Sequence, residues 1–153
     1  HILSKRTSDG HIQELCGQFK TSVAERLLEA PPIPGALAFL NRWQHRRPLY
    51  LLSATPEQEL TAIVEQRQLT PYFEEVVGAP PDKATGLRNL LTRHKLAPKA
   101  TVMIGDSYND YRAARSNGTL FVGVTANPHD SPFPGDVITI KDLHTLAHAL
   151  TLL

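Results

Sequence analysis

Val102-Met103-Ile104-Gly105-Asp106-Ser107-Tyr108-Asn109-Asp110 is the stretch whose reading decides the fold. It opens on an apolar run, Thr101 to Ile104, with the unbroken character of a strand covered on both faces. It closes on a helix, Tyr108 to Asn117, that Gly118 stops. Between them stand a glycine, which permits close backbone approach, and a carboxylate at the strand tip. Asp106 has no local structural role to account for it, and a carboxylate there is well placed as a hard oxygen ligand for a cation such as Mg²⁺. Asp110 has two readings. Ser107-x-x-Asp110 has the form of a capping box, and the same carboxylate could orient a metal-bound water or a nearby cation.

Working outward, the same rhythm recurs. Upstream, Leu49 to Leu52 reads as a buried strand, followed by a helix over Pro56 to Gln66 with Leu60, Ile63 and Val64 on one face. A short strand at Glu75 to Gly78 leads to a helix over Lys83 to His94 carrying Leu87, Leu90 and Leu91. Downstream, Leu120 to Val124 and Val137 to Ile140 read as strands. The prolyl stretch Asn127 to Gly135 is a long loop, and Leu143, Leu146, Ala147 and Leu150 mark a last helix. Strands alternating with helices predict an α/β fold, a Rossmann-like three-layer parallel sheet.

The beginning of the chain differs. Ile12, Leu15, Cys16, Phe19, Val23 and Leu27 form a helical stripe with Asp9 as its N-cap. Pro31-Pro32-Ile33-Pro34-Gly35 then reads as a linker or hinge. A helix over Gly35 to His45 follows, with Leu37, Leu40 and Trp43. Residues 1–30 are therefore set apart from residues 31–153.

Bulk properties narrow the function. The chain has 153 residues, 41% of them hydrophobic, enough for one packed domain. Sixteen basic against fifteen acidic residues give a net charge of +1, which offers nothing to nucleic acid or an acidic membrane surface. A single cysteine excludes an internal disulfide framework, and no apolar run approaches a membrane span. With no signal-peptide pattern at the start, a cytoplasmic setting is expected. The sequence carries no sign of oligomeric state.

In open parallel sheets ligands bind beyond the carboxyl ends of the strands. There the chain reads Ser53-Ala54-Thr55, Asp82-Lys83 and Gly105-Asp106-Ser107. Thr55-Pro56-Glu57-Gln58 has the form of a capping box with Pro56 in the first helical position. That leaves the Ser53 hydroxyl either to satisfy the turn or to meet an anion at the helix start. Asp82 reads as an N-cap, so Lys83 sits in the first turn, where a cation opposes the helix dipole. Either Lys83 curls into solvent, or it reaches back over the strand ends to hold a phosphoryl oxygen. His144 and His148, four apart on the last helix, read as a solvated face. Cys16, on an apolar stripe, reads as core rather than nucleophile. No Walker loop or Gly-x-Gly-x-x-Gly is present.

Leu51-Leu52-Ser53-Ala54-Thr55-Pro56, Lys83, and Gly105-Asp106-Ser107-Tyr108-Asn109-Asp110 occur in that order on successive strand ends. Together they resemble motifs II, III and IV of the haloacid dehalogenase-like superfamily, in its phosphatase branch. The similarity runs from about Pro31 to Val124, and the segment before Pro31 resembles the later part of a helical cap. The resemblance implies hydrolysis of the phosphate monoester of a small metabolite, with Mg²⁺. It implies that Ser53, Ala54 and Lys83 bind the phosphoryl group, that Asp106 and Asp110 serve the metal, and that Lys83, Asp106 and Asp110 are catalytic. One motif is absent: no Asp-x-Asp, the nucleophile and acid/base pair of the superfamily's first strand, occurs in the chain. The expected consequences are a cleft between the strands ending at Ser53 and Asp106, no turnover by these 153 residues alone, and a nucleophile on a longer protein. Alternatives are a non-catalytic relative that binds a phosphorylated ligand or partner, a phosphomutase, or a dehalogenase. A dehalogenase needs no metal, so Asp106 argues against it.

Overall fold

The computed structural model describes residues 29–153. The expectations placed on Asp9, the Ile12-to-Leu28 stripe and Cys16 lie outside the described residues. In chain order the elements are α1 (Ala36–Trp43), β1 (Tyr50–Ser53), α2 (Glu57–Gln66), β2 (Glu75–Gly78), α3 (Lys83–Arg93), β3 (Val102–Gly105), α4 (Tyr108–Asn117), β4 (Leu120–Val124), β5 (Thr139–Ile140) and α5 (Leu146–Ala149). Every strand pair is parallel, so the α/β architecture expected from the alternation is the one observed. No helix among the described residues is long and apolar enough to cross a membrane.

Side-chain alternation along the strands sets the layers. From β3, Val102 packs with Val122, Val124, Ile140, Leu146 and Ala149, under α5 and the Phe39 side chain of α1. Its neighbour Met103 points the other way, into a cluster of Leu52, Ala84, Leu87, Leu91 and Ala113 beneath α3 and α4. Strand β3 is thus sandwiched between α1 and α5 on one side and α3 and α4 on the other. In α1 the residue that reaches the core is Phe39, while Leu37 is 47% exposed. Of the stripe read along that helix Leu37 alone turns away; Leu40 and Trp43 are half-buried, and Trp43 meets the Phe39 ring at 6.0 Å.

The strands form two separate ladders, β1–β2 and β3–β4–β5. Among the described residues β1 and β3 are not hydrogen-bonded to each other, as the absence of an Asp-x-Asp strand led us to expect. The second core cluster spans this gap, because it takes Leu52 from β1 and Met103 from β3. Helix α3 is the element that packs on both sides of it.

Several boundaries differ from the sequence reading. The last strand is two residues, Thr139–Ile140, because Val137 is drawn into a turn by its N–H bond to the Pro134 carbonyl (3.1 Å). The final helix begins as a 3-10 turn over Leu143–Thr145, capped by Asp142. The Pro31-to-Gly35 stretch is anchored at its end: Pro34 accepts from the Leu143 N–H at 2.9 Å. Gly35 lies against the 143–144 backbone, where a Cβ would stand 2.7 Å from the Leu143 carbonyl carbon. The loop from Asn127 to Gly135 is not wholly peripheral. Phe133 is 7% exposed and stacks edge-on against Phe121 at 5.3 Å, in space left by the missing side chain of Gly123.

Candidate active site

The candidate residues converge at the carboxyl ends of β1, β2 and β3, each placed by local backbone chemistry. At the tip of β1, the Ser53 Oγ accepts the Thr55 N–H at 3.1 Å and donates to the Thr55 hydroxyl at 3.0 Å. The expected Thr55 cap is therefore absent. Helix α2 starts one residue later, with Pro56 in the N-cap position and no side-chain bond to its free N–H groups. The local turn outcompetes the capping box because Thr55 spends both its N–H and its hydroxyl on Ser53. Ala54 is exposed in the same turn.

From β2 the chain turns through Gly78-Ala79-Pro80-Pro81-Asp82 into α3. The Ala79 N–H donates to the Ser53 carbonyl at 2.9 Å, tying this connection to the β1 tip. Ala79 has φ 38°, a left-handed conformation that costs energy for a side chain with a Cβ, doubly so before proline. Asp82 caps α3 as its sequence position predicts, accepting the Thr85 N–H (2.8 Å) and hydroxyl (2.7 Å). These two donors hold its carboxyl below the ordinary value of 3.8. Gly86, in the helix interior, lets α3 lie close to β1: a Cβ there would stand 2.9 Å from both Leu52 Cδ1 and Pro80.

Lys83 does not curl into solvent. Its ammonium pairs with Asp110 Oδ1, and its side chain is 23% exposed. Asp110, 2% exposed, is the only buried charged side chain among the described residues. Its other oxygen, Oδ2, accepts the Ser107 N–H at 3.0 Å and the Ser107 hydroxyl at 2.6 Å, while the Asp110 N–H returns to Ser107 Oγ at 3.2 Å. The capping box read from Ser107-x-x-Asp110 is thus complete. Capping and the pairing with Lys83 coexist because they use different oxygens. Both oxygens of Asp110 are committed within the protein.

Asp106 is the opposite case. It is exposed at the tip of β3, and among the described residues its carboxylate has no hydrogen-bond or ion-pair partner. No group of three or more His, Cys, Asp or Glu side chains is gathered as a metal cage among the described residues. An exposed carboxylate at the tip of β3, without a partner among the described residues, nonetheless fits the way Mg²⁺ is held, through one or two carboxylates together with waters and substrate phosphate.

A residue that the sequence reading passed over also bears on the site. The Asn117 amide, at the end of α4, donates to the Ala84 carbonyl at 2.9 Å and to the Ala113 carbonyl at 2.8 Å. Its signal in the sequence was its spacing, seven residues after Asp110, which puts both on one face of α4. His144 and His148 are both exposed, in keeping with a solvated face.

Comparison with known proteins decides the family. The family described as haloacid dehalogenase-like hydrolase matches residues 6–118, most of the chain. The chain belongs to the haloacid dehalogenase-like hydrolase family. Among curated members, it is 32% identical over 82 residues to phosphoglycolate phosphatase of Vibrio cholerae, covering 50% of this chain and 36% of that protein. It is 32% identical over 99 residues to phosphoglycolate phosphatase of Natronomonas pharaonis, covering 62% of this chain and 43% of that protein. The matched region therefore spans less than half the length of these relatives. Among solved structures, it is similar to one described as a predicted phosphoglycolate phosphatase from Haemophilus somnus, with a TM-score of 0.80, 22% identity, and coverage of 95% of this chain and 69% of that one. It is also similar to 2-haloacid dehalogenase from Pseudomonas syringae, with a TM-score of 0.68, 20% identity, and coverage of 96% and 65%. Phosphatase and dehalogenase share this haloacid dehalogenase-like fold, so the fold alone does not select the reaction and the site residues must.

Proposed function

We propose that this chain is part of a Mg²⁺-dependent phosphate-monoester hydrolase acting on a small phosphorylated metabolite. The observation that carries the reading is the Lys83–Asp110 pair together with Asp106, which has no partner among the described residues, all at the strand ends. Phosphoryl transfer demands positioning and neutralisation of charge rather than elaborate covalent chemistry. In this reading the Lys83 ammonium holds an oxygen of the transferring group, with its direction set by Asp110. The Ser53 hydroxyl and the Ala54 turn hold a second oxygen at the opposite lip of the gap. Asp106 holds the metal, which when bound neutralises charge developing on the phosphoryl oxygens. Asp110, with both oxygens engaged, supports the metal site by orienting its neighbours rather than by direct ligation.

The nucleophile is a carboxylate of an Asp-x-Asp pair supplied by sequence outside these 153 residues, on a strand seated between β1 and β3. Its attack on phosphorus would break the P–O bond to the substrate's alcohol, which leaves with a proton from the second Asp of the pair, and water would then hydrolyse the aspartyl-phosphate to phosphate and the free carboxylate. Residues 1–30 belong to a helical cap and residues 31–153 to the core. The naming of the curated relatives makes phosphoglycolate the first substrate to try.

The test extends the chain upstream through its reading frame. The extended protein should release phosphate from p-nitrophenyl phosphate with Mg²⁺ and stop when EDTA is added, and Asp106→Asn should remove that turnover. The 153-residue chain should show none. Turnover by these residues alone would overturn the placement of the nucleophile. A reading frame with no Asp-x-Asp would instead favour a non-catalytic relative that binds a phosphorylated ligand, a reading that rests on the missing pair.

A further inference from the structure

One stripe of α4 grips the first turns of α3 at two points. Asp110, Ala113 and Asn117 stand at i, i+3 and i+7, a single helical face. At one end Asp110 takes the Lys83 ammonium. At the other, about 10 Å along the axis, the Asn117 amide takes the carbonyl of Ala84, the residue next to Lys83. Between them Ala113 is 1% exposed and shares one buried cluster with Leu87 and Leu91, against which Ala84 also packs. An amide nitrogen has two hydrogens. Here one goes to Ala113 within α4 and the other to Ala84 across the helix interface. The first bond fixes the orientation of the amide, and the second transmits that orientation to the backbone of α3.

We infer that Asn117 is a positioning residue for Lys83. A lysine side chain has a long flexible stem, and an ion pair at its tip does not fix where its backbone sits. The Ala84 bond fixes it. With the α3 backbone held by Asn117 and the ammonium held by Asp110, the stem is defined at both ends, and Lys83 faces the strand tips. Asparagine is a poor helix former compared with alanine, so helix propensity gives no reason for it at position 117. The inference rests on the proposed phosphoryl-binding role of Lys83 only for its catalytic consequence. The positioning itself is a property of this chain and is measurable without turnover.

The experiment treats the protein extended upstream through its reading frame with limiting acetic anhydride and reads acetylation of Lys83 against the exposed Lys99 by mass spectrometry. Asn117→Ala should raise the Lys83/Lys99 ratio about fivefold, the opening equilibrium released by losing the bond to Ala84, worth ~1 kcal/mol, the bond to Ala113 lying within α4 itself. Asp110→Asn should raise it further. Leu91→Ala, which weakens the same helix pair without touching the Ala84 bond, should leave the ratio unchanged. Asn117→Asp, which keeps the size and removes the donors, repeats the test should the alanine variant fold poorly. Equal ratios in the Asn117 and Leu91 variants would overturn the positioning role. A raised ratio in Asn117→Ala, combined with full phosphatase activity of Lys83→Met in the extended protein, would leave the positioning standing and overturn the proposed function instead.

Discussion

Gly105 lies directly beneath the side chain of Asp110: a Cβ at position 105 would stand 2.6 Å from the Asp110 carboxyl carbon and 2.7 Å from Oδ2. That side chain cannot step aside, because Ser107 and Lys83 hold its two oxygens. The strand tip and the helix start are therefore fitted together through the absence of one methyl group.

Gly105→Ala should cost about 1–3 kcal/mol, the usual price of overpacking a closed site. It should also disturb the Lys83 pairing. Gly118→Ala makes a control of a different kind. Nothing lies within 4 Å of its Cβ, but φ is 69°, so only the left-handed penalty of about 1–2 kcal/mol applies. Thermal unfolding of both variants, with the acetylation ratio of Lys83, separates them: both lower Tm, and only Gly105→Ala frees Lys83.

Asp106 and Asp110 should separate function from stability. Asp106 is exposed and has no partner among the described residues, so Asp106→Asn should change stability by less than about 0.5 kcal/mol while removing Mg²⁺-dependent turnover of the extended protein. Asp110→Ala breaks a buried pair and a capping box together. It should cost about 3 kcal/mol, the low end for such pairs because Lys83 keeps some contact with water. Urea denaturation measures both. Equal losses would contradict the division of roles.

Acid should loosen the start of α3. The carboxyl of Asp82 is held below 3.8 by the Thr85 N–H and hydroxyl. A depressed folded-state value contributes stability that is fully present above the unfolded value and is lost as pH falls through the folded one. The loss therefore belongs below about pH 3.9, the unfolded value. Asp82→Asn retains a good N-cap and does not titrate. It should leave neutral stability nearly unchanged and flatten the acid limb of a stability–pH curve, followed by circular dichroism.

Phe133→Ala should cost about 3 kcal/mol or more, the penalty for emptying a core site, although the residue lies in a prolyl loop. Phe133 closes a series of ring contacts from Tyr111 through Phe121. A loss under about 0.5 kcal/mol, the norm for surface loops, would show that the ring does not belong to the core.

The features legible in the sequence were those encoded within a few residues. Asp82 as a cap, the Ser107–Asp110 box and Gly118 as a stop all depend on contacts spanning three or four positions, and the structure has each of them. The parallel strands were legible because burial on both faces leaves continuous apolar runs. What escaped was decided at longer range or by competition. Thr55 had the pattern of a cap and was taken by Ser53 instead. Phe133 looked like loop because its partner, Phe121, comes from another element. Asn117 looked like a helix end because its bond crosses to Ala84, thirty-three residues away. Among the candidate site residues, the pairing of Lys83 with Asp110 followed from their shared place at the strand ends, whereas the commitment of both Asp110 oxygens did not.

The two strand ladders, with α3 lying across the space between them, work as a caliper. One jaw ends at Ser53 and the other at Asp106, and no hydrogen bond among the described residues joins β1 to β3 directly. Leu52 against Gly86 fastens α3 to the first jaw; Lys83 to Asp110 and Asn117 to Ala84 fasten it to the second. Among the described residues that one helix and its fastenings link the two jaws, so a change of side-chain volume at position 86 or 117 shifts the gauge that a strand seated between them has to match, without altering any residue that faces into the mouth.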